Sequence, residues 1–422
     1  MYRFIAVLAL MMLPAGAAAQ LSAYTEEEVI AAVQAGNAAL GAARHGAAAG
    51  ALGPAQVTWP SPMLEVMPMP SAIRDGEFGA QVLARQAVPW PARLNADRTA
   101  RARMADASAL EADALEVELV AMARMAYAEL WSIQEQAARI ADFRRQLDLY
   151  RDAALAQYAA GRGPQQAVLS IQVEAGMLAQ RLEALEEERA EAAGLLSSLT
   201  GGSVRVRGDA QLAPPAALRP AVVTREPAVA IDGHPMVAAG EAMAAAERAM
   251  AAMNRTMLRP EFTLGVNLNL SQMAFDRMYG TEPVMPAVGV MVPLQRGGIR
   301  ARVQESELRA AQRELETTNT RIRLQAEADA VTDQLLNVRT RVAALEETLR
   351  PQVRQMLEAS IAGYQAGTTR FLELLDAQRM ALDVELELIM ARMREATLRA
   401  RLDAAAGRGV ATRGDDVDDE RN

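Results

Sequence analysis

The sequence predicts a mainly α-helical chain with a small strand component, in which one long-helix unit is used twice. Three observations carry that expectation. Residues 92–160 contain neither glycine nor proline and are closed by Gly161-Arg162-Gly163-Pro164. Pro91 suits a first helical position and the breaker cluster suits a stop. At 1.5 Å per residue such a helix is roughly 100 Å long, far more than a globular core needs. A second long segment, 299–362, follows Val292-Pro293 as the first follows Val88-Pro89, and it stops before Tyr364-Gln365-Ala366-Gly367 as the first stops at Tyr158-Ala159-Ala160-Gly161. Aromatic residues are only 4% of the chain, while alanine, leucine, glutamate, arginine and methionine dominate, the composition of long helices and coiled coils.

In chain order, residues 1–19 have a basic Arg3, an apolar run from Phe4 to Leu13 and the small triplet Ala17-Ala18-Ala19. This pattern is that of a secretory signal cleaved before Gln20, and its apolar run is too short to span a bilayer. Residues 25–52 read as an alanine-rich helix, with Thr25 as N-cap and Glu26-Glu27-Glu28 as an acidic first turn. Two strands are expected over 55–67 and 78–88, joined by a loop at 68–77. The clearest strand is 262–271. Phe262, Leu264, Val266, Leu268 and Leu270 alternate with Thr263, Gly265, Asn267, Asn269 and Ser271. That alternation suits a barrel strand with lipid on one side and water on the other, and equally an edge strand of a soluble sheet. A further strand is expected at 286–294. Four strands per chain cannot close a membrane barrel alone, because single-chain barrels start at about eight, whereas three chains would supply about twelve.

Coiled-coil spacing runs through the helices. Leu119, Ala126, Ile133, Ile140, Leu147 and Ala154 recur every seven residues. So do Ile171, Leu178, Leu185, Ala192 and Leu199, joined by Leu182 and Leu196. Leu324, Val331, Val338 and Leu345 alternate with Ala328, Leu335, Val342 and Leu349. Antiparallel hairpins packed side by side are the expected result, with Pro351 kinking the 299–362 helix.

Charge and chemistry exclude several classes. The formal net charge is −9, and the arginines alternate with glutamates as on solvated helix faces, which excludes a nucleic-acid partner. Cysteine is absent, the two histidines His45 and His234 have no companions, and no phosphate loop or nucleophile elbow occurs. No enzyme activity, cofactor or metal site is therefore expected. Met63, Met67, Met69, Met273, Met278, Met285 and Met291 cluster at strand and loop positions. Thioethers suit Cu(I), and methionine equally fills cores or faces lipid. Trp59 and Trp90 flank the first strand pair and fit either an interfacial aromatic belt or simple packing.

The two halves align: Asn37 with His234, Val88-Pro89 with Val292-Pro293, Tyr158 and Gly161 with Tyr364 and Gly367, Leu169 with Leu375, and Gln172 with Gln378. The expected organisation is a signal at 1–19 and a first repeat at 20–200 with its tip at 158–164. A linker follows at 201–221, then a second repeat at 222–406 with its tip at 364–369, and a polar, disordered tail at 407–422.

This doubled unit resembles the TolC family of outer-membrane efflux channels. Its most telling segments are Gln157-Tyr-Ala-Ala-Gly-Arg-Gly-Pro-Gln-Gln166, and Gly363-Tyr-Gln-Ala-Gly367 with Phe371-Leu-Glu-Leu-Leu-Asp-Ala-Gln-Arg379. The tips, Pro62-Met63 and Val88-Pro-Trp-Pro91 are most similar to the heavy-metal (CusC/CzcC-like) branch. The resemblance implies a homotrimer with one shared β-barrel in outer-membrane lipid and helices extending into the periplasm. It also implies a periplasmic adaptor and an inner-membrane pump as partners, and passive conduction of pumped cargo, such as copper or silver cations. Tyr158, Gly161, Tyr364, Gly367, Glu373 and Asp376 would form the periplasmic aperture and adaptor tip, and Phe262, Leu264, Val266, Leu268 and Leu270 the lipid face. In a trimer Glu373 and Asp376 would make anionic rings; as ordinary residues they would be a solvated helix face, and Gly161 and Gly367 plain helix C-caps. Ala167 stands where the family often has an acidic residue. Where some relatives carry arginine two positions past the tip glycine, this chain has Thr369 followed by Arg370. Two alternatives stand: the same fold exporting organic compounds or protein, and a soluble periplasmic coiled-coil adaptor.

Overall fold

The computed structural model describes residues 23–68, 79–161, 164–205, 211–218, 230–270, 284–366 and 368–408. The expected signal, Gly367, Met69, Met273, Met278, Ser271, parts of the linker (206–210 and 219–221) and the tail from 409 lie outside the described residues.

The elements are β1 (Ala23–Tyr24), α1 (Glu26–Gly36), α2 (Ala38–Ala51), β2 (Met63–Pro68), β3 (Ala80–Val88), α3 (Pro91–Ala159) and α4 (Gln165–Leu199). There follow β4 (Gln211–Leu212), α5 (Pro235–Thr256), β5 (Glu261–Asn269), β6 (Val284–Met291), α6 (Arg296–Ala344), α7 (Arg350–Gln365) and α8 (Phe371–Ala405). A π turn, Leu345–Leu349, joins α6 to α7. The 69-residue α3 begins at Pro91, as the breaker pattern requires. The expected single helix over 25–52 is two helices. Thr25 forms the capping box with Glu28 at the start of α1, but Asn37 is extended and ends it. The Asn37 side chain accepts a hydrogen bond from the Leu40 N–H (3.0 Å) and donates to the Leu199 carbonyl (2.9 Å), so it competes with the helical backbone and caps α2. The first strand is also shorter than expected: residues 54–56 are a 3₁₀ turn, and β2 starts only at Met63.

The described residues fall into two compact units. One comprises residues 23–41, 115–230 and 324–408. Its core is the heptad stripe of α3, where Leu119, Ala126, Ile133, Ile140, Leu147 and Ala154 are all buried. Against it lie Ile171, Leu178, Leu185, Ala192, Leu196 and Leu199 of α4, together with Leu375, Leu386 and Ile389 of α8. Each fully buried leucine or isoleucine contributes roughly 1.5–3 kcal/mol. Tyr127 sits in the same core. Its hydroxyl proton is shared between the carbonyls of Tyr24 (2.8 Å) and Ala213 (2.7 Å), and burial, with Glu26 nearby, pushes its ionisation well above the usual tyrosine range.

In α6 the inward positions are 324, 328, 331, 335, 338, 342 and 345, as the heptads predict. Leu349 does not follow and is exposed. From the π turn onward the half-buried positions include 346, 350, 353, 357, 360 and 364, each one residue later than an unbroken 4/3 pattern would place it, together with 361 and 363 near the tip. The cause is the extra residue of the π turn, in which the Arg350 N–H reaches the Leu345 carbonyl. The wide turn accommodates Pro351, which has no N–H and whose ring collides with the preceding turn of a regular helix.

The other unit, residues 42–114 and 231–323, holds a four-stranded antiparallel sheet in the order β2-β3-β5-β6. β5 opens the run expected at 262–271, and β6 that expected at 286–294, slightly displaced toward the N-terminus. His234 caps α5, its Nδ1 accepting from the Met236 N–H at 3.1 Å, while His45 is exposed on α2. The aligned pair Asn37 and His234 thus perform one task, each starting a helix. Among the described residues no helix is long and apolar enough to cross a membrane.

Candidate functional site at the helical tips

At the first tip α3 ends at Ala159, and Gly161 takes a left-handed conformation (φ 70°), its N–H donating to the Tyr158 carbonyl at 2.9 Å. A methyl group there would meet nothing, so glycine serves the backbone conformation alone. Tyr158 is exposed.

The second tip is tighter. The N–H groups of Thr368 (2.9 Å) and Thr369 (3.1 Å) both donate to the Gly363 carbonyl. A Cβ on Gly363 would lie 2.2 Å from the Thr369 hydroxyl, so this glycine serves close packing. Tyr364 meets Phe371 edge to face at 5.9 Å, and Phe371 meets Tyr150 of α3 at 6.1 Å. The Tyr364 hydroxyl accepts from Gln157 Nε2 at 3.5 Å, which brings the two tips together.

Deeper along α8, Gln378 donates to the Tyr150 hydroxyl (2.8 Å) and Arg379 Nε to Glu174 of α4 (2.7 Å). Glu174 and Gln378 are both buried. Sequence reasoning passed over Glu174, Arg379, Tyr150, Gln157 and Phe371 as site residues. Glu174 had a readable signal, a carboxylate within the inward stripe between Ile171 and Leu178. Gln378 had the same signal on α8.

Glu373 and Asp376 are exposed, and each has an arginine at i±3. Arg370 Nη2 lies 2.7 Å from Glu373, and Arg379 Nη1 lies 3.5 Å from Asp376. The Arg370 guanidinium, hydrogen-bonded to Glu373, holds that carboxyl below the usual glutamate range. Both carboxylates therefore carry local counter-charge, which weakens any anionic ring they form.

The sheet supplies the second candidate surface. Directly paired residues share a face, so the register decides which side each residue occupies. One face holds Leu64, Val66, Val82, Ala84, Val88, Phe262, Leu264, Val266, Leu268, Val284, Val288 and Val290, with Gln86 its one polar member in the paired rows. Leu64, Val66, Phe262, Leu264, Val266, Val284, Val288 and Val290 are exposed there. The opposite face carries Glu65, Gln81, Arg85, Thr263, Asn267 and Asn269. Leu270 follows the end of β5, its N–H donating to the Ala80 carbonyl. Met63, Met67, Met285 and Met291 fall on this opposite face, away from Phe262, Leu264 and Val266. Trp90 donates to the Pro260 carbonyl (2.6 Å) and contacts Phe262 edge to face, while Trp59 is exposed. Among the described residues no group of three or more His, Asp or Glu side chains could hold a metal ion.

Residues 227–408 match the family described as outer membrane efflux protein. No curated protein matches the sequence. Likeness of fold covers most of the chain. The outer membrane protein VceC of Vibrio cholerae superposes with a TM-score of 0.71 at 17% identity, covering 91% of this chain and 96% of that one. CusC gives 0.73 at 17% identity over 91% and 92%. The open-state MtrE outer membrane channel of Neisseria gonorrhoeae gives 0.72 at 15% identity over 91% and 89%. The chain therefore has the fold of TolC-like outer-membrane channels.

Proposed function

We propose that this chain is the outer-membrane channel of a tripartite efflux system. Three copies join their sheets into one barrel of about twelve strands, and the helical tips form a periplasmic aperture that meets an adaptor and, through it, an inner-membrane pump. The observation that carries this reading is the sheet, whose one face is apolar and largely exposed, whose other collects nearly all the polar side chains, and whose edge strands β2 and β6 each pair on one side only among the described residues. Open edges cannot stand in a bilayer, so closure requires further copies. Phe262, Leu264, Val266, Leu268 and Leu270 then face lipid. Tyr158, Gly161, Tyr364, Gly367, Glu373 and Asp376 line or shape the aperture.

The organisation expected from sequence belongs to the proposal: a signal at 1–19, repeats at 20–200 and 222–406 joined at 201–221, and a tail at 407–422. The matching caps Asn37 and His234 support it. The proposed cargo is a soft cation such as copper or silver. Four thioether side chains on one sheet face support that class, while the tip carboxylates favour cations in general. A strain lacking the gene should lose tolerance to copper or silver; sensitivity to dyes or antibiotics alone would transfer the same channel to organic cargo.

The channel itself is tested by fractionation and conductance. The mature chain should stay in the outer-membrane fraction, run as a trimer in detergent and conduct in a planar bilayer. Tyr364→Ala combined with Asp376→Ala should raise single-channel conductance. Release as a soluble monomer on osmotic shock would overturn the reading in favour of a periplasmic coiled-coil protein.

A further inference from the structure

We infer that each seam between neighbouring copies carries a site for a soft monovalent cation, formed by Met291 of one copy and by Met63 and Met67 of the next. The inference rests on the channel reading above, since no single copy completes the site. On the face opposite Phe262 and Leu264, the thioethers stand only on the two edge strands: Met63 and Met67 on β2, and Met285 and Met291 on β6. The inner strands β3 and β5 contain no methionine and present Leu83, Arg85, Thr263 and Asn267 there. Within one copy three strand spacings separate the two edges, about 14 Å, too far for one ion to hold both. Across a closed seam the same two strands are neighbours, about 4.8 Å apart.

Strand direction and face restrict how the seam can close. The four strands alternate in direction, so β6 of one copy runs antiparallel to β2 of the next. Keeping the apolar face outward on both copies sets odd-numbered residues of β6 opposite odd-numbered residues of β2, because a slip of one residue would reverse the faces. Where Met291 falls within β2, it therefore stands opposite Met63, Glu65 or Met67. The first and third pairings set two thioethers directly across from each other, their Cβ atoms about 5 Å apart. The second sets Met63 and Met67 on the two diagonals, about 7–8 Å away, within reach of a side chain with three rotatable bonds. Met63, Met67 and Met291 are all exposed. The nearby carboxylates are already balanced: Glu65 lies 3.4 Å from Arg85, and Glu261, which pairs with Met291 in the sheet, is bridged to Arg93. Neutral sulfur beside balanced acids favours a soft, singly charged ion, Cu(I) or Ag(I), over hard or doubly charged ones. Thioethers without a thiolate also hold the ion loosely, as a site on a conduction path must.

Ag(I) in chloride-free buffer is the probe, and the sample is the full chain purified in detergent, with bound silver measured by equilibrium dialysis. Met291→Leu should lose about one bound silver ion per copy, and so should Met63→Leu combined with Met67→Leu. Leucine keeps the volume without the sulfur, so trimers should form equally in every variant. The deciding step expresses the two variants together under different affinity tags and isolates trimers that contain both. Such trimers should regain silver at about one seam in three, where an intact β6 meets an intact β2, whereas a site within one copy would regain nothing. Unchanged silver binding in either variant, or no recovery in the mixed trimers, would overturn the inference and leave the channel reading standing so long as the trimers persist and conduct. A chain that runs as a monomer would remove both.

Discussion

The two helical hairpins share a plan and differ in how firmly they are held. In the first, α3 runs unbroken for 69 residues and its inward stripe stays buried to Ala154, close to the tip. In the second, the stripe ends at Leu345, the π turn changes the phase, and α7 contributes no fully buried residue. The tips repeat the contrast with the roles reversed on the descending side. Phe371, Gln378 and Arg379 fasten α8 to the first hairpin, whereas their counterparts Gln165, Gln172 and Val173 on α4 are exposed. The first hairpin thus keeps a continuous buried stripe on its ascending helix, whereas the second loses its stripe at the π turn. The difference rests on a few substitutions, a proline and three anchoring side chains, within an otherwise common heptad frame.

The largest test of this contrast is a leucine truncation in each ascending helix. Leu147→Ala, at a fully buried position, should lower stability by about 2–5 kcal/mol, whereas the half-buried Leu357→Ala should cost about 1 kcal/mol. Guanidinium midpoints followed by far-UV circular dichroism compare the two, and equal shifts would erase the distinction. A smaller effect is expected from Arg379→Gln, which strands the buried Glu174 carboxylate. The cost should be about 2 kcal/mol, discounted because Arg379 itself is partly exposed. Arg370→Gln removes a surface pair and should leave the midpoint unchanged, so a similar loss in both variants would deny Arg379 its anchoring role.

The smallest effect concerns acid pH. Glu373 has a depressed folded-state pKa because Arg370 hydrogen-bonds its charged form. The Arg370–Glu373 attraction is therefore fully present above the ordinary glutamate range, near about 4.3. It is lost as pH falls through the lower folded value. Cation preference due to Glu373 should accordingly persist below the ordinary range, and Arg370→Ala should move its loss to higher pH. Reversal potentials measured across an acid series check this, and an unchanged titration would separate Glu373 from the conducting path.

Much of this was legible in the residues. The α3 stripe and the first seven members of the α6 series lie where heptad spacing placed them, because a 3.5-residue repeat brings apolar groups to one side of any continuous helix. The strand alternation around Phe262 was legible for the same kind of reason, a period of two. The Asn37 break was missed because a long alanine run favours helix through it, and the polar side chain's bond to the Leu199 carbonyl forms only once the two segments meet. The exposure of Leu349 was missed because Pro351 predicts a break without saying whether it is a kink or an inserted residue. At the tips the tyrosines and glycines announced themselves by repetition. Glu174, Arg379 and Tyr150 did not, since their partners lie far away in sequence.

The sequence alone, then, determined the long helices, their inward faces, the doubling of the unit and the two-sided character of the β5 strand. These depend on local periodicity and on breakers, which act within a few residues. Only the tertiary structure decided which face each of the four methionines shares, where the helix phase slips, and which tip residues fasten one hairpin to the other. Those depend on strand register, on the accommodation of a proline within a packed helix, and on contacts between positions about two hundred residues apart, such as Arg379 and Glu174 (|i−j| = 205).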